Sequence, residues 1–160
     1  MIFRSIFRKT IIQQLILFGL DCGAYPLKRK ILGIIRIIRP INGFMMSLAV
    51  LIGAWLALTE SLSPNILHKI LLGTITAFTL SGASMAINDY CDYEIDKINE
   101  PNRPIPSGII TLKESLIIAA TLASIGLLAA IFTNLPTALL AFISLIVSVI
   151  YAVKGKRTGL

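Results

Sequence analysis

Asn88, Asp89, Asp92 and Asp96 stand close together in the stretch Asn88-Asp89-Tyr90-Cys91-Asp92-Tyr93-Glu94-Ile95-Asp96, in a chain of 160 residues with only eight Asp and Glu. If one helix runs through them at about 100° per residue, the three aspartates share an arc of about 60°, with Asn88 on its flank. Like charges one turn apart, at a helix end that is already partly negative, destabilise the helix that carries them. Local stability gives no reason for the pattern; a missing cation does. Hard oxygen donors without an accompanying His or Cys suit Mg²⁺ or Mn²⁺, and Mg²⁺ commonly shares its shell with substrate phosphates. The alternating ligands and central glycine of an EF-hand are absent. Lys97 and Arg103 follow within a few residues, and Arg can grip phosphate oxygens in a bidentate fork. The plainer alternative is that both only neutralise the aspartates.

The elements that must position this cluster are membrane helices. Hydrophobic residues make up 56% of the chain and charged residues 14%, with a mean hydropathy of +0.84. Uncharged runs cover 40–59, 70–88 and 115–153, and a single crossing needs about 20 apolar residues. The last run is too long for one span and is broken at Thr133-Asn134-Leu135-Pro136, a turn with a proline suited to a new helix start. The expectation is an all-α bundle of four transmembrane helices, at about 38–59, 66–90, 113–133 and 135–153. The net charge of +7 is not a nucleic-acid footprint, because the basic residues flank spans rather than forming a polar domain. Lys28, Arg29, Lys30, Arg36, Arg39, Lys97, Arg103, Lys113, Lys154, Lys156 and Arg157 all fall on one side. The positive-inside bias makes that side cytoplasmic, and the acidic motif faces it.

Residues 1–33 read as a basic and apolar extension. They lack the small-residue cleavage pattern of a signal peptide, so an interfacial amphipathic helix or a stretch upstream of the true start fits better. Asn42, just after Arg39-Pro40-Ile41, is either a cap or interhelical hydrogen-bonding group or a substrate contact. Three prolines in Pro101-Asn102-Arg103-Pro104-Ile105-Pro106-Ser107-Gly108 forbid a continuing helix and predict a stiff loop over the membrane surface. Thr111 and Glu114 have capping-box spacing. Cys22 and Cys91 read as free thiols, and His68 as interfacial or structural. A diphosphate at the membrane surface, with a hydrocarbon tail among helices rich in Gly, Ala, Leu and Ile, is the economical ligand.

Asn-Asp-x-x-Asp-x-x-x-Asp at 88–96 followed by Asn102-Arg103-Pro104-Ile105-Pro106-Ser107-Gly108 resembles the first aspartate-rich motif and loop of the UbiA-type intramembrane prenyltransferases. Arg39-Pro40-Ile41-Asn42, the stretch from Asp92 to Asn99 and Lys156-Arg157-Thr158 resemble most the archaeal ether-lipid branch, over residues 34–160. The resemblance implies Mg²⁺ held by Asn88, Asp89, Asp92 and Asp96, of which the three aspartates are catalytic. It implies diphosphate contacts from Asn88, Lys97, Arg103, Lys154, Lys156 and Arg157. The donor it implies is geranylgeranyl diphosphate, and the acceptor is geranylgeranylglyceryl phosphate, giving an ether phospholipid precursor in a multi-pass cell-membrane enzyme.

The family resembles a bundle of about nine helices with a second aspartate-rich motif, whereas here no Asp or Glu follows Glu114. The expectation is therefore a truncated, split or incomplete enzyme, with four of about nine helices. Alone it is inactive or nearly so, and a C-terminal fragment would complement it. A noncatalytic membrane subunit, a transporter half-repeat, and an aromatic or haem acceptor are the competing readings.

Overall fold

The computed structural model describes residues 26–58 and 63–155. The readings over residues 1–25, including Cys22, and the roles expected of Lys156 and Arg157 lie outside the described residues. Within them six α-helices are described, in chain order: α1 (Pro26–Ile38), α2 (Pro40–Ala57), α3 (Pro64–Cys91), α4 (Tyr93–Asn99), α5 (Leu112–Thr133) and α6 (Leu135–Ile150), which runs into a π-helical turn, Tyr151–Gly155. Among the described residues there is no strand. Among the described residues, four helices are long and apolar enough to cross a membrane: Pro40–Ala57, Pro64–Cys91, Leu112–Thr133 and Leu135–Lys154. The chain is thus an all-α, multi-pass membrane protein.

Local chemistry sets the helix ends. Proline occupies the first turn of α2, α3 and α6, where its missing N–H costs nothing. Ser63 Oγ accepts the backbone N–H of Ile66, and Asn134 Oδ1 that of Thr137 at 2.8 Å. At α5 the capping box closes in both directions: Glu114 N–H donates to Thr111 Oγ1 at 3.2 Å, and Thr111 N–H donates to Glu114 Oε2 at 2.8 Å.

The bundle centres on α3 and α5. Thr76, Thr79, Gly82, Ala83, Ala86 and Asp89 are the buried residues of α3, recurring mostly every three or four positions along one face. Against them α5 buries Ser115, Ala119, Gly126, Ala129 and Ala130. Small side chains bring the backbones close enough for interhelical bonds: Ser115 Oγ donates to Ala86 O at 3.1 Å, and Thr76 Oγ1 to Gly126 O at 3.3 Å. On the flanks Ser47 of α2 donates to Thr74 O, and Ser148 of α6 donates to Ser84 Oγ at 2.7 Å. Large apolar side chains such as Phe44, Trp55, Leu56 and Phe132 point outward, which suits lipid rather than water as the solvent.

The helix α1 runs through residue 33, where the sequence places the end of the extension. Gly33 is buried, and a Cβ there would meet Ile109 Cγ2 at 2.8 Å. Ile37 is fully buried among Ala86, Ile105, Ile110 and Ala119. The proline-rich segment is therefore not simply a stiff cover. Its Ile105 and Ile110 plug into the end of the bundle, and Gly108, at φ +74, makes the turn between them.

Candidate functional site

The acidic stretch is not one uninterrupted helix. The α3 helix ends at Cys91, Asp92 sits at the junction with φ −84° and ψ 0°, and α4 starts at Tyr93. Backbone bonds bridge the junction, from Asp92 N–H to Asn88 O at 3.0 Å and from Asp96 N–H to Asp92 O at 2.8 Å. As a result Asp89 and Asp96 come to the same side, and both are buried, 4% and 6% exposed.

A buried carboxylate needs a compensating cation or hydrogen bonds, and here two arginines supply both. Arg103 Nη1 lies 2.7 Å from Asp96 Oδ2 and 3.7 Å from Asp89 Oδ1. Arg39 Nη2 lies 2.9 Å from the same Asp89 oxygen. Arg103 is further tied to Glu100 by Nε at 2.9 Å. That hydrogen bond foremost, and the one to Asp96, hold its guanidinium above the usual arginine range despite partial burial. The loop delivers Arg103 through Arg103 N–H to Glu100 O at 3.0 Å and Ser107 N–H to Arg103 O at 2.9 Å. Beneath the charges lies the apolar floor of Ile37, Ala86, Ile105, Ile110 and Ala119.

Lys97 and Asn42 make contacts outside this ion-pair group. Lys97 is exposed; its ammonium stands 4.7 Å over the Tyr93 ring and 4.0 Å from Glu94. Hydrogen bonding to Tyr93, and then the Glu94 charge, raise its pKa. Asn42 Nδ2 donates to Met85 Sδ at 3.9 Å, the interhelical bond that was one of its two readings. Asn88 and Asp92 are half-buried at the helix junction, and Lys154 lies in the π-helical turn, which packs against α3.

The residue that spacing did not reveal is Arg39. It stands fifty positions from Asp89, and in sequence it reads as one flanking cation among several. A usable signal was its place immediately before Pro40, where the right-handed helical conformation is disfavoured. The structure puts Arg39 at φ 49° and ψ 67°, the one described non-glycine residue with positive φ. Such a conformation costs an L-residue about 1–3 kcal/mol and persists only where surrounding contacts enforce it. Arg39→Gly is accordingly expected to melt about 2–4 °C above Arg39→Ala in the same detergent, since both lose the ion pair but only glycine relieves the strain. Equal melting temperatures would show that the backbone at Arg39 is unstrained.

The donor chemistry fits a hard divalent cation. Asp89 and Asp96 converge on one point, where the Arg103 nitrogen stands as a cation, and Mg²⁺ needs one or two carboxylates when a phosphate completes its shell. Among the described residues no three His, Cys, Asp or Glu side chains form a metal-holding group unaided. Along the same helix, between α2, α3 and α6, an apolar groove of about 560 Å³ includes Val50, Gly73, Ala77, Leu80 and Ser84. Ser84 is about 7.5 Å of helix axis from Asp89.

Residues 46–160 match the sequence model of the UbiA prenyltransferase family. The chain is 38% identical over 123 residues to digeranylgeranylglyceryl phosphate synthase of Methanosphaera stadtmanae, covering 77% of this chain and 43% of that protein. A 34% identity over 132 residues links it to the bacteriochlorophyll synthase 34 kDa chain of Chloroflexus aurantiacus, covering 78% and 41%. A solved structure from work on digeranylgeranylglyceryl phosphate synthase in membranes superposes with a TM-score of 0.75 at 32% identity, covering 80% of this chain and 45% of that one. The chain thus spans less than half the length of these relatives.

Proposed function

The chain belongs to the UbiA prenyltransferase family, and from that premise we propose that its acidic end binds a prenyl diphosphate for transfer of the prenyl group to a lipid hydroxyl. The observation that carries this reading is the single cationic atom held 2.7 Å from Asp96 and 3.7 Å from Asp89 at the end of an apolar bundle. Geranylgeranyl diphosphate is the donor and geranylgeranylglyceryl phosphate the acceptor. The likeness to the Methanosphaera synthase supports both assignments.

Asp89 and Asp96, with Asn88 and Asp92 at the adjoining helix junction, would hold Mg²⁺, which supplies charge neutralisation at the diphosphate oxygens. Arg103 and Arg39 turn from the carboxylates to the diphosphate, and Lys97 and Lys154 widen the cationic rim. These cations stabilise the negative charge that grows on the leaving diphosphate as its bond to the allylic carbon breaks. The acceptor oxygen forms the new bond to that carbon, and its proton passes to the released diphosphate. The apolar groove beside Leu80 and Ala77 receives the hydrocarbon tail and keeps water from it.

The acidic end faces the cytoplasm, a reading supported by Lys28, Arg29, Arg36, Lys97, Arg103 and Lys113 around it. No Asp or Glu follows Glu114, so the 160-residue chain binds donor without sustained turnover and needs further acidic ligands from a complementing segment. Isothermal titration of the purified chain with geranylgeranyl diphosphate tests the site. Binding is expected to require Mg²⁺ and to weaken at least about tenfold in Asp92→Asn, the loss of one charged ligand contact. Binding that ignores both chelator and substitution would refute the assignment. The relative named bacteriochlorophyll synthase favours a second, ring-bearing acceptor class. Product analysis with both acceptors and a complementing segment separates the two.

A further inference from the structure

The helix α1 presents three different faces, and the four-helix bundle accounts for only one of them. Gly33 and Ile37 face inward, and Lys30 beside them reaches Glu114 Oε1 at 2.6 Å. Glu114 lies in the first turn of α5, so this contact puts α1 level with the ends of the membrane spans. On the side away from Gly33 and Ile37, about 100–240° around the helix from them, Ile31, Leu32 and Ile35 are 48%, 51% and 46% exposed, and Leu27 is 70% exposed. Arg29 and Arg36 share a further exposed face, with Lys28 at the helix start. No acidic residue occurs in Pro26–Ile38, and Lys28, Arg29 and Arg36 make no ion pair with any described residue.

An apolar arc beside an uncompensated basic arc, lying at span-end level, is the pattern of a helix bedded in a bilayer interface with its cations among headgroup phosphates. We propose that the outer side of α1 is a binding surface for anionic phospholipid, with Leu27, Ile31, Leu32 and Ile35 in the acyl boundary and Lys28, Arg29 and Arg36 on the headgroups. The charge complementarity selects acidic lipid over zwitterionic lipid, and this reading stands apart from the transfer reaction. Because Arg39 follows α1 directly and pairs with Asp89, lipid seated on α1 also steadies the edge of the acidic site.

The test uses the full chain with Trp55, its single tryptophan, replaced in Trp55→Phe/Ile35→Trp and reconstituted in vesicles. Brominated phosphatidylglycerol or brominated phosphatidylcholine is included at equal mole fraction as the fluorescence quencher. The phosphatidylglycerol probe is expected to quench about twofold more, the preference vanishing in high salt and in the added triple variant Lys28→Gln/Arg29→Gln/Arg36→Gln. Equal quenching by the two lipids overturns the proposal, as does a preference that survives the triple variant. Absence of quenching by either lipid also overturns it, because that face is then covered by protein. Repeating the measurement with Leu32→Trp guards against a local fault at Ile35.

Discussion

Arg103→Ala is expected to raise the dissociation constant for Mg²⁺–geranylgeranyl diphosphate about 100-fold while tightening the binding of Mn²⁺ alone. The two effects have opposite signs because Arg103 has two partners in prospect. At rest its Nη1 contacts Asp96 at 2.7 Å and lies 3.7 Å from Asp89, so it competes with any metal for those oxygens. On the proposed function, it changes from competitor to ligand when diphosphate binds. Truncating one member of a partly buried charged pair costs about 2–5 kcal/mol, and about 2.7 kcal/mol corresponds to a factor of about 100. Removing the guanidinium also leaves Asp96 without this partner and Asp89 with Arg39, which raises the demand for an external cation. Titration with the diphosphate measures the first quantity, and electron paramagnetic resonance of Mn²⁺ measures the second. If both affinities fall together, Arg103 is only a scaffold for the loop, and the proposed exchange of partners is wrong. Arg103→Lys keeps the charge but not the fork, so it is expected to recover only part of the diphosphate affinity.

Gly126→Leu is expected to disrupt the bundle itself. A Cβ at Gly126 would lie 2.6 Å from Thr79 Oγ1 and 2.9 Å from Leu80 Cγ, and the carbonyl of Gly126 accepts a bond from Thr76 across the same contact. Neither α3 nor α5 can yield there without separating the helices whose packing also seats Ala86, Ala119 and Ser115 under the acidic site. Overpacking of this kind costs about 1–3 kcal/mol, which lowers a thermal midpoint by roughly 2–12 °C in a protein of this size. Gly53→Leu provides the comparison, since nothing lies within 4 Å of a Cβ there. It is expected to leave the midpoint within about 1 °C. Equal destabilisation by the two substitutions would show that the α3–α5 contact is not the organising one.

The architecture was readable in the chain because lipid imposes a one-dimensional rule. A span must be apolar over its whole length and must satisfy its own backbone, so uncharged runs and their punctuation by Pro40, Pro64 and Pro136 were enough to find four membrane helices. The Thr111–Glu114 capping box was equally local, a matter of two residues three apart. So was the density of aspartates, which points to a cation near 88–96.

The partners of those aspartates were not local. Helical periodicity put Asp89, Asp92 and Asp96 on one arc, but the junction at Asp92 and the approach of the loop decide which oxygens meet. Asp89 and Asp96 close on Arg103, whereas Lys97, nearer in sequence, leans on Tyr93. Arg39 reaches Asp89 only because α1 breaks before Pro40 and docks Ile37 against the end of α3 and α5. Ion pairing depends on distances of a few ångströms between separate segments. Composition and spacing thus determine that the chain crosses a membrane and gathers acid at one helix end. The selection of two arginines, one from each side of that end, belongs to the packing of α1 and the proline-rich loop.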